Sequence, residues 1–447
     1  MFHSTHVFTG ETIYRRPAQS YTEFTDELNR LQTLQQTFVQ SSIIERTALL
    51  QQFADILTQN QERLAEMVCE EVGRCQHECR AEISKSIELI CYYVRLAPEL
   101  LAHKTIATQA SLSQVRFEPL GIVLAVMPWN YPVWQILRFA IPALCAGNAC
   151  AVKPAPSVAR VSETLFSLVP EGLPLIGAWL SHEDTLQAIE DTDAMAFTGS
   201  THTGRLLAAH AGKHLKKTVL ELGGSNPFII LPDADLQRAA IDACYSRFRD
   251  AGQSCNAAKR IIVTQDIAEQ FIPLFLAECA KLQTGNPKDP NTTLAPLHRE
   301  DLRQTVHEQV QDAVAHGAQC LSGGYIPEGE SWFYPATVLD QVNPNCRVWH
   351  EEVFGPVAMI LRADNPDHAV TLANDTPFGL GACIYTADTA NAWKYAEKIQ
   401  AGSVFINRHT SSDLRLPFGG VKASGYGREL SEFGLYEFVN VKTYWQK

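Results

Sequence analysis

No two of the twelve cysteines stand in a Cys-x-x-Cys pair, and no cluster of histidines accompanies them. Zinc-site spacing is therefore absent, and cysteines scattered at irregular intervals read as reduced thiols rather than a disulfide framework. The nearest grouping is Cys69, Cys75 and Cys79, in a helical stretch where Cys75 and Cys79 share a face. It does not complete a site, and no metal is expected. Basic charge is also scarce: 37 Lys and Arg against 49 Asp and Glu leave a formal net charge of −12. That balance excludes the basic stripe that nucleic acid requires. No window approaches the ~20 consecutive apolar residues that span a bilayer. The opening Met1-Phe2-His3-Ser4-Thr5-His6 has no basic region followed by an apolar run, so a cytoplasmic protein with no membrane partner is expected. The dinucleotide fingerprint Gly-x-Gly-x-x-Gly is missing too.

What is present is a globular composition, 46% hydrophobic and 19% charged over 447 residues, enough for two or three domains. From about residue 22 to 101 the apolar spacing is helical, as in Leu49, Leu50, Phe53, Ala54, Ile56 and Leu57. The character changes at Val115. Gly121 to Met127 is an apolar run stopped by Pro128, which predicts a buried strand. A helix pattern (133–146), a strand (149–153), a strand (194–198), a helix (203–211) and a strand (218–221) follow. A second series begins at Pro227–Leu231 and continues through Arg260–Val263 and Ser403–Ile406. Strand–helix alternation of this kind predicts an α/β fold with two doubly wound parallel sheets. Gly199-Ser200-Thr201-His202-Thr203-Gly204 is a strand-to-helix turn whose N–H groups could face a pyrophosphate or simply cap a helix. The break between the two series falls near residues 223–226, which sets Glu221 and Cys255 on opposite sides of a cleft.

Cys255 follows Gly252-Gln253-Ser254, and Glu221-Leu222-Gly223-Gly224 lies thirty-four residues upstream. Covalent catalysis at a carbonyl needs a thiolate, a donor for the oxyanion and a base to hydrolyse the thioester. Cys255 and Glu221 supply candidates for the first and last. The other eleven cysteines read as inert buried thiols.

Seven motifs then occur in one order: Pro128-Trp129-Asn130-Tyr131-Pro132, Lys153-Pro154-Ala155, Phe197-Thr198-Gly199-Ser200, Glu221-Leu222-Gly223-Gly224, Gly252-Gln253-Ser254-Cys255, Glu352-Val353-Phe354-Gly355-Pro356 and Pro417-Phe418-Gly419-Gly420. In this the chain resembles the aldehyde dehydrogenases, from about residue 20 to the C-terminus, and most of all the bacterial succinate-semialdehyde dehydrogenases. The resemblance implies Cys255 as nucleophile, Glu221 as general base and Asn130 as oxyanion donor beside the Cys255 N–H. It implies NAD or NADP as cofactor, held by Lys153, Trp129, Gly199, Ser200, Glu352 and Phe354. Where NAD-preferring relatives often carry a glutamate, this chain has Pro156, then Ser157, so cofactor preference stays open. A redox-active second cysteine two residues after the nucleophile is replaced by Ala257.

The resemblance also implies a grip on a distal carboxylate by Arg138, Arg249 and Ser412, with Arg408 and Arg415 in the same loop as possible substitutes. Paired guanidinium donors suit that task. The expected reaction is oxidation of succinate semialdehyde to succinate. Glutarate semialdehyde or another carboxylated semialdehyde is the alternative within the class, and a non-redox thiol esterase the alternative outside it. The expected domains are a nucleotide-binding domain (1–100 and 120–223), a catalytic domain (224–430) and a small β oligomerisation segment (101–119 and 431–447). That segment implies a homodimer or homotetramer.

Overall fold

Ser20 and Ser42 each accept a hydrogen bond from the N–H three residues on, while Glu23 and Glu45 reach back to the serine N–H groups. These two capping boxes satisfy otherwise orphaned helix donors and fix where two helices begin. The computed structural model describes residues 1–329 and 331–447. Its chain opens with a hairpin, β1 (Phe2–Thr5) and β2 (Thr12–Arg16). The helices α1 (Tyr21–Gln40), α2 (Ile43–Gln59), α3 (Gln61–Val72) and α4 (Gln76–Leu100) follow. The hairpin was not read from the sequence, because two four- to five-residue strands carry too little alternation to stand out.

β3 (Lys104–Thr105) and the eight-residue β4 (Leu112–Pro119) lead into the buried β5 (Ile122–Val126). The next elements are α5 (Pro132–Cys145), β6 (Ala149–Lys153), α6 (Ala159–Ser167), β7 (Leu175–Gly177), α7 (His182–Glu190), β8 (Ala194–Thr198), α8 (Thr201–Lys213) and β9 (Lys217–Glu221). After β10 (Asn226–Ile230), α9 (Leu236–Phe248) and β11 (Ala258–Thr264) come β12 (Gln319–Ser322), β13 (Thr337–Asp340), β14 (Val357–Ala363), β15 (Ala382–Tyr385) and β16 (Val404–Ile406). β17 (Gly425–Tyr426) and β18 (Val439–Gln446) end the chain.

The strands form a six-stranded sheet in the order β17-β9-β8-β5-β6-β7 and a seven-stranded sheet in the order β12-β13-β14-β11-β10-β15-β16. Pairing is parallel except at β12 and β17. This is the expected α/β architecture. α2 to α6 pack on one face of the first sheet, and α1, α7 and α8 on the other. The break between the sheets runs from Glu221 to Asn226, yet β17 returns to pair with β9, so the chain after residue 224 does not stay with the second sheet. β18 pairs along its length with β4, beside β3, in a separate three-stranded sheet.

Two geometric facts place the site. β5 lies between β6 and β8, so the first sheet's strand order reverses there, and ligands of open α/β sheets settle at such a switch point. The segments leaving β5 and β8 carry Trp129-Asn130 and Gly199-Ser200. The second sheet meets that crevice with its strand N-termini, and the connection from α9 into β11 carries Cys255.

Candidate active site

Cys255 follows a strained turn. Asp250, Ala251 and Gly252 have φ of 53°, 51° and 72°, and the two non-glycine residues there cost about 1–3 kcal/mol each. A Cβ on Gly252 would meet the Gly355 carbonyl oxygen at 2.4 Å, so this position admits only glycine. The surroundings over-determine the turn. Arg74 Nε donates to Asp250 at 2.6 Å and pairs with Glu82, Tyr131 donates to Asp250, and the Asp250 N–H donates to Glu78 at 2.8 Å. Glu82 also accepts the N–H groups of Val133 and Trp134, both at 3.0 Å, and so caps α5. One buried cage therefore fixes both the turn before Cys255 and the helix after Asn130.

Three further side chains that sequence reasoning missed complete the support. Lys259, fully buried, donates to the carbonyls of Ser254 and Cys255 at 2.9 Å each and pairs with Glu352 at 3.0 Å. Arg247 donates to the carbonyls of Gly252, Val353 and Gly355, tying the turn before Cys255 to the Glu352–Phe354 loop. Gln253 receives the Asn130 amide on its carbonyl at 3.0 Å and the His298 N–H on its side chain at 2.9 Å. None belongs to a periodic pattern. Gln253 lies within the Gly252–Cys255 motif without a role legible there, and the only sequence signal of Lys259 is a charge pair, Lys259-Arg260, set before the apolar run from Ile261.

Cys255 lies where two cavities meet. One, of about 320 Å³, is lined by Trp129, Asn130, Gly199, Ser200, Glu221, Cys255, Glu352 and Phe354. Trp129 meets Phe354 edge-on at 5.7 Å and stacks on His298 at 4.2 Å. Glu352 accepts the Gly224 N–H at 3.1 Å, and a Cβ on Gly224 would meet the Cys255 carbonyl oxygen at 2.5 Å, so the Gly223-Gly224 turn is needed for close approach. The N-terminus of α8, capped by Ser200, and the aromatic walls of Trp129 and Phe354 suit the pyrophosphate and nicotinamide of a dinucleotide. Lys153 does not line this cavity. It is buried at the end of β6 with its ammonium 5.6 Å from the Phe2 ring, and burial pushes it down to about 8. Ser157 shares a hydrogen bond of 2.7 Å with His298.

The second cavity, of about 270 Å³, is lined by Cys255 and by Arg74, Lys85, Arg138, Arg249, Ser411 and Ser412 among others. It brings together the three residues expected at a distal carboxylate, with one difference: Arg138 is buried and paired with Glu429, its guanidinium 4.8 Å over Phe418. Arg408 is exposed, and Arg415 is exposed and paired with Asp413 at 2.7 Å; neither lines this cavity.

Burial pushes the Cys255 thiol up to about 11, against the pull of Arg138 and Lys259. Desolvation thus outweighs the neighbouring cations at this thiol. Burial, with Glu429 nearby, also raises Glu221 well above the usual carboxylate range. Its two oxygens are buried and without a hydrogen-bond partner among the described residues. Of the cysteine trio, Cys69 lies in α3, Cys75 is the N-cap of α4 and Cys79 lies one turn into α4, its N–H donating to the Cys75 carbonyl at 3.1 Å. All twelve cysteines are free. Three potential metal ligands, Glu190, His210 and His214, do converge on the surface at α7 and α8.

The aldehyde dehydrogenase family profile matches residues 1–444. The chain belongs to the aldehyde dehydrogenase family. It is 41% identical over 413 residues to succinate semialdehyde dehydrogenase (NAD(P)+) Sad of Escherichia coli, covering 91% of this chain and 89% of that protein. It is 41% identical over 446 residues to succinate-semialdehyde dehydrogenase (NADP(+)) 1 of Mycobacterium tuberculosis, covering 98% of each. Its fold superposes on succinic semialdehyde dehydrogenase from Streptococcus pyogenes, solved in complex with NADP+, with a TM-score of 0.97, 32% identity and coverage of 100% and 99%. This aldehyde dehydrogenase is therefore an oxidoreductase that uses NAD or NADP. No helix among its described residues is long and apolar enough to cross a membrane.

Proposed function

We propose that this aldehyde dehydrogenase oxidises succinate semialdehyde to succinate through a thioester on Cys255. The observation that carries the reading is that Cys255 lines both cavities, one shaped for a dinucleotide and the other lined with cations. The relatives' substrate supports the same class.

A bound nicotinamide dinucleotide supplies the hydride acceptor. Cys255 Sγ adds to the aldehyde carbon as its proton passes to solvent water. Asn130 uses one amide N–H to hold the Gln253 carbonyl, leaving the second for the oxyanion. The Cys255 N–H has no acceptor among the described residues and supplies a second donor. When the aldehyde hydrogen has left as hydride, the acyl group remains as a thioester. Glu221 then takes a proton from water, the hydroxide adds to the thioester carbon, and the carbon–sulfur bond breaks to release the acid. Trp129, Gly199, Ser200, Glu352 and Phe354, which line the first cavity, hold the cofactor, and Lys153, buried beside Phe2, is not among its contacts. With Pro156 in place of a carboxylate, nothing at that turn repels a 2′-phosphate, so both NAD and NADP are accepted. The β4–β18 sheet, which exposes Leu112, Val441 and Trp445, forms the contact of a homodimer or homotetramer.

The deciding experiment follows absorbance of the reduced nicotinamide with succinate semialdehyde and with butyraldehyde, using NAD and NADP in turn. Preference for the carboxylated aldehyde is expected. Equal or better activity on butyraldehyde overturns the substrate assignment and leaves the dehydrogenase.

A further inference from the structure

Two histidines one turn apart, His210 and His214, close α8, and Glu190 closes α7 beside them. The end of α8 is well fixed. His214 is its C-cap, Leu215 turns left-handed at φ 55°, and the Lys216 N–H reaches back to the Ala211 carbonyl at 2.9 Å, the bond that ties off a helix C-terminus. One oxygen of Glu190 faces both rings: Oε1 lies 3.0 Å from His210 Nε2 and 3.4 Å from His214 Nε2. The ring centroids are 4.9 Å apart, with the planes tilted by 36°. His214 Nε2 is buried and makes no hydrogen bond among the described residues. One ligand atom from each of the three residues falls within 4.8 Å of the other two.

We propose that Glu190, His210 and His214 bind one divalent cation of the zinc class, which staples α7 to α8. Imidazole nitrogens set with a carboxylate select borderline cations such as Zn²⁺ and Co²⁺ over Mg²⁺ and Ca²⁺, which prefer oxygen alone. A tetrahedral zinc with ligands ~2.1 Å away holds them ~3.4 Å apart. Both edges from Glu190 already stand near that length. The third needs only rotation of two imidazoles that share one helix face. An ion there gives His214 Nε2 the partner it lacks, and the negative end of the α8 dipole favours its charge. Three protein ligands leave a fourth position to water. The site is structural rather than catalytic. α8 begins beside Ser200, in the wall of the cofactor cavity, and ten residues of helix, ~15 Å, separate Ser200 from His210.

The test takes untagged protein, stripped with EDTA and kept reduced, and titrates it with Co²⁺ and with Zn²⁺. One equivalent of Co²⁺ is expected to give visible d–d bands without the sulfur-to-cobalt charge transfer that binding at any of the twelve cysteines would add. Excess Mg²⁺ does not displace it. His210→Ala, His214→Ala and Glu190→Gln each weaken binding by more than about 10-fold, since even a group that only orients a metal's ligand is worth that much. Zn²⁺ raises the thermal midpoint of wild type and not that of the His210→Ala/His214→Ala double variant. Every variant keeps wild-type dehydrogenase activity in EDTA, which shows that it folds. Where an alanine variant does not fold, the asparagine variant at that position takes its place. Co²⁺ binding that survives in the double variant, or that carries the sulfur band, puts the ion elsewhere and overturns the proposal. Absence of binding in wild type overturns it too, and leaves Glu190 as the ion-pair partner of two histidines.

Discussion

At the scale of single residues, the site is governed by desolvation. Cys255 and Glu221 are both acids whose burial raises them, so their reactive, charged forms accumulate only as pH rises. Oxidation of an uncharged aldehyde is therefore expected to climb from pH 6 to 9, which a pH–kcat/KM profile with butyraldehyde checks. Lys85 runs the other way. Burial, Arg138 and Arg249 push it down to about 8 against the weaker opposing pull of Asp413 and Glu88. Its charge is present below that pH and lost above it. Glu221→Gln separates the two half-reactions: a first burst of reduced nicotinamide is retained while steady turnover falls by about 10²- to 10⁴-fold, the usual worth of a positioned base. Stopped-flow absorbance shows both phases.

At the scale of elements, function depends on how one turn is held against two helices. The turn at 250–252 stores backbone strain, and Arg74, Glu78, Glu82 and Tyr131 hold it in place from α4, the loop before it and the loop before α5. Removing the cation leaves Asp250 and Glu82 buried without their partner. Arg74→Met is expected to destabilise the fold by about 3–5 kcal/mol, read as a lower urea midpoint. Gly252→Ala acts more locally, because its Cβ would fall on the Gly355 carbonyl. It should leave the helical signal intact while slowing alkylation of Cys255 by iodoacetamide and abolishing turnover. Unchanged alkylation and turnover would show that the turn tolerates a shift.

At the scale of the whole molecule, two sheets approach each other end to end, the first with strand C-termini and the second with strand N-termini, and the proposed catalytic residues come from both sides. β17 crosses back to pair with β9, so Gly425 lies directly beside Glu221. The small sheet of β3, β4 and β18 stands apart and exposes Val441 and Trp445. Val441→Glu in that sheet is expected to yield a smaller species in sedimentation velocity, since a charge buried in an association surface is costly. An unchanged sedimentation coefficient would remove this sheet from the assembly.

Cys255, Glu221, Asn130 and the alternation of buried strands with helices were legible in the linear order of residues. Strand and helix periodicities are local, and the motifs that carry the chemistry are contiguous. Arg74, Lys85, Arg247, Lys259 and Glu429 were not. Each is a charge that has no meaning until the fold brings a partner from 8 to 327 residues away. That Arg138 lines the inner cavity while paired with Glu429, and that Lys85 is the wall of a cavity rather than a surface charge, was decided by tertiary packing alone. Burial sets the energy of a charge, and burial is a property of the assembled structure rather than of the chain.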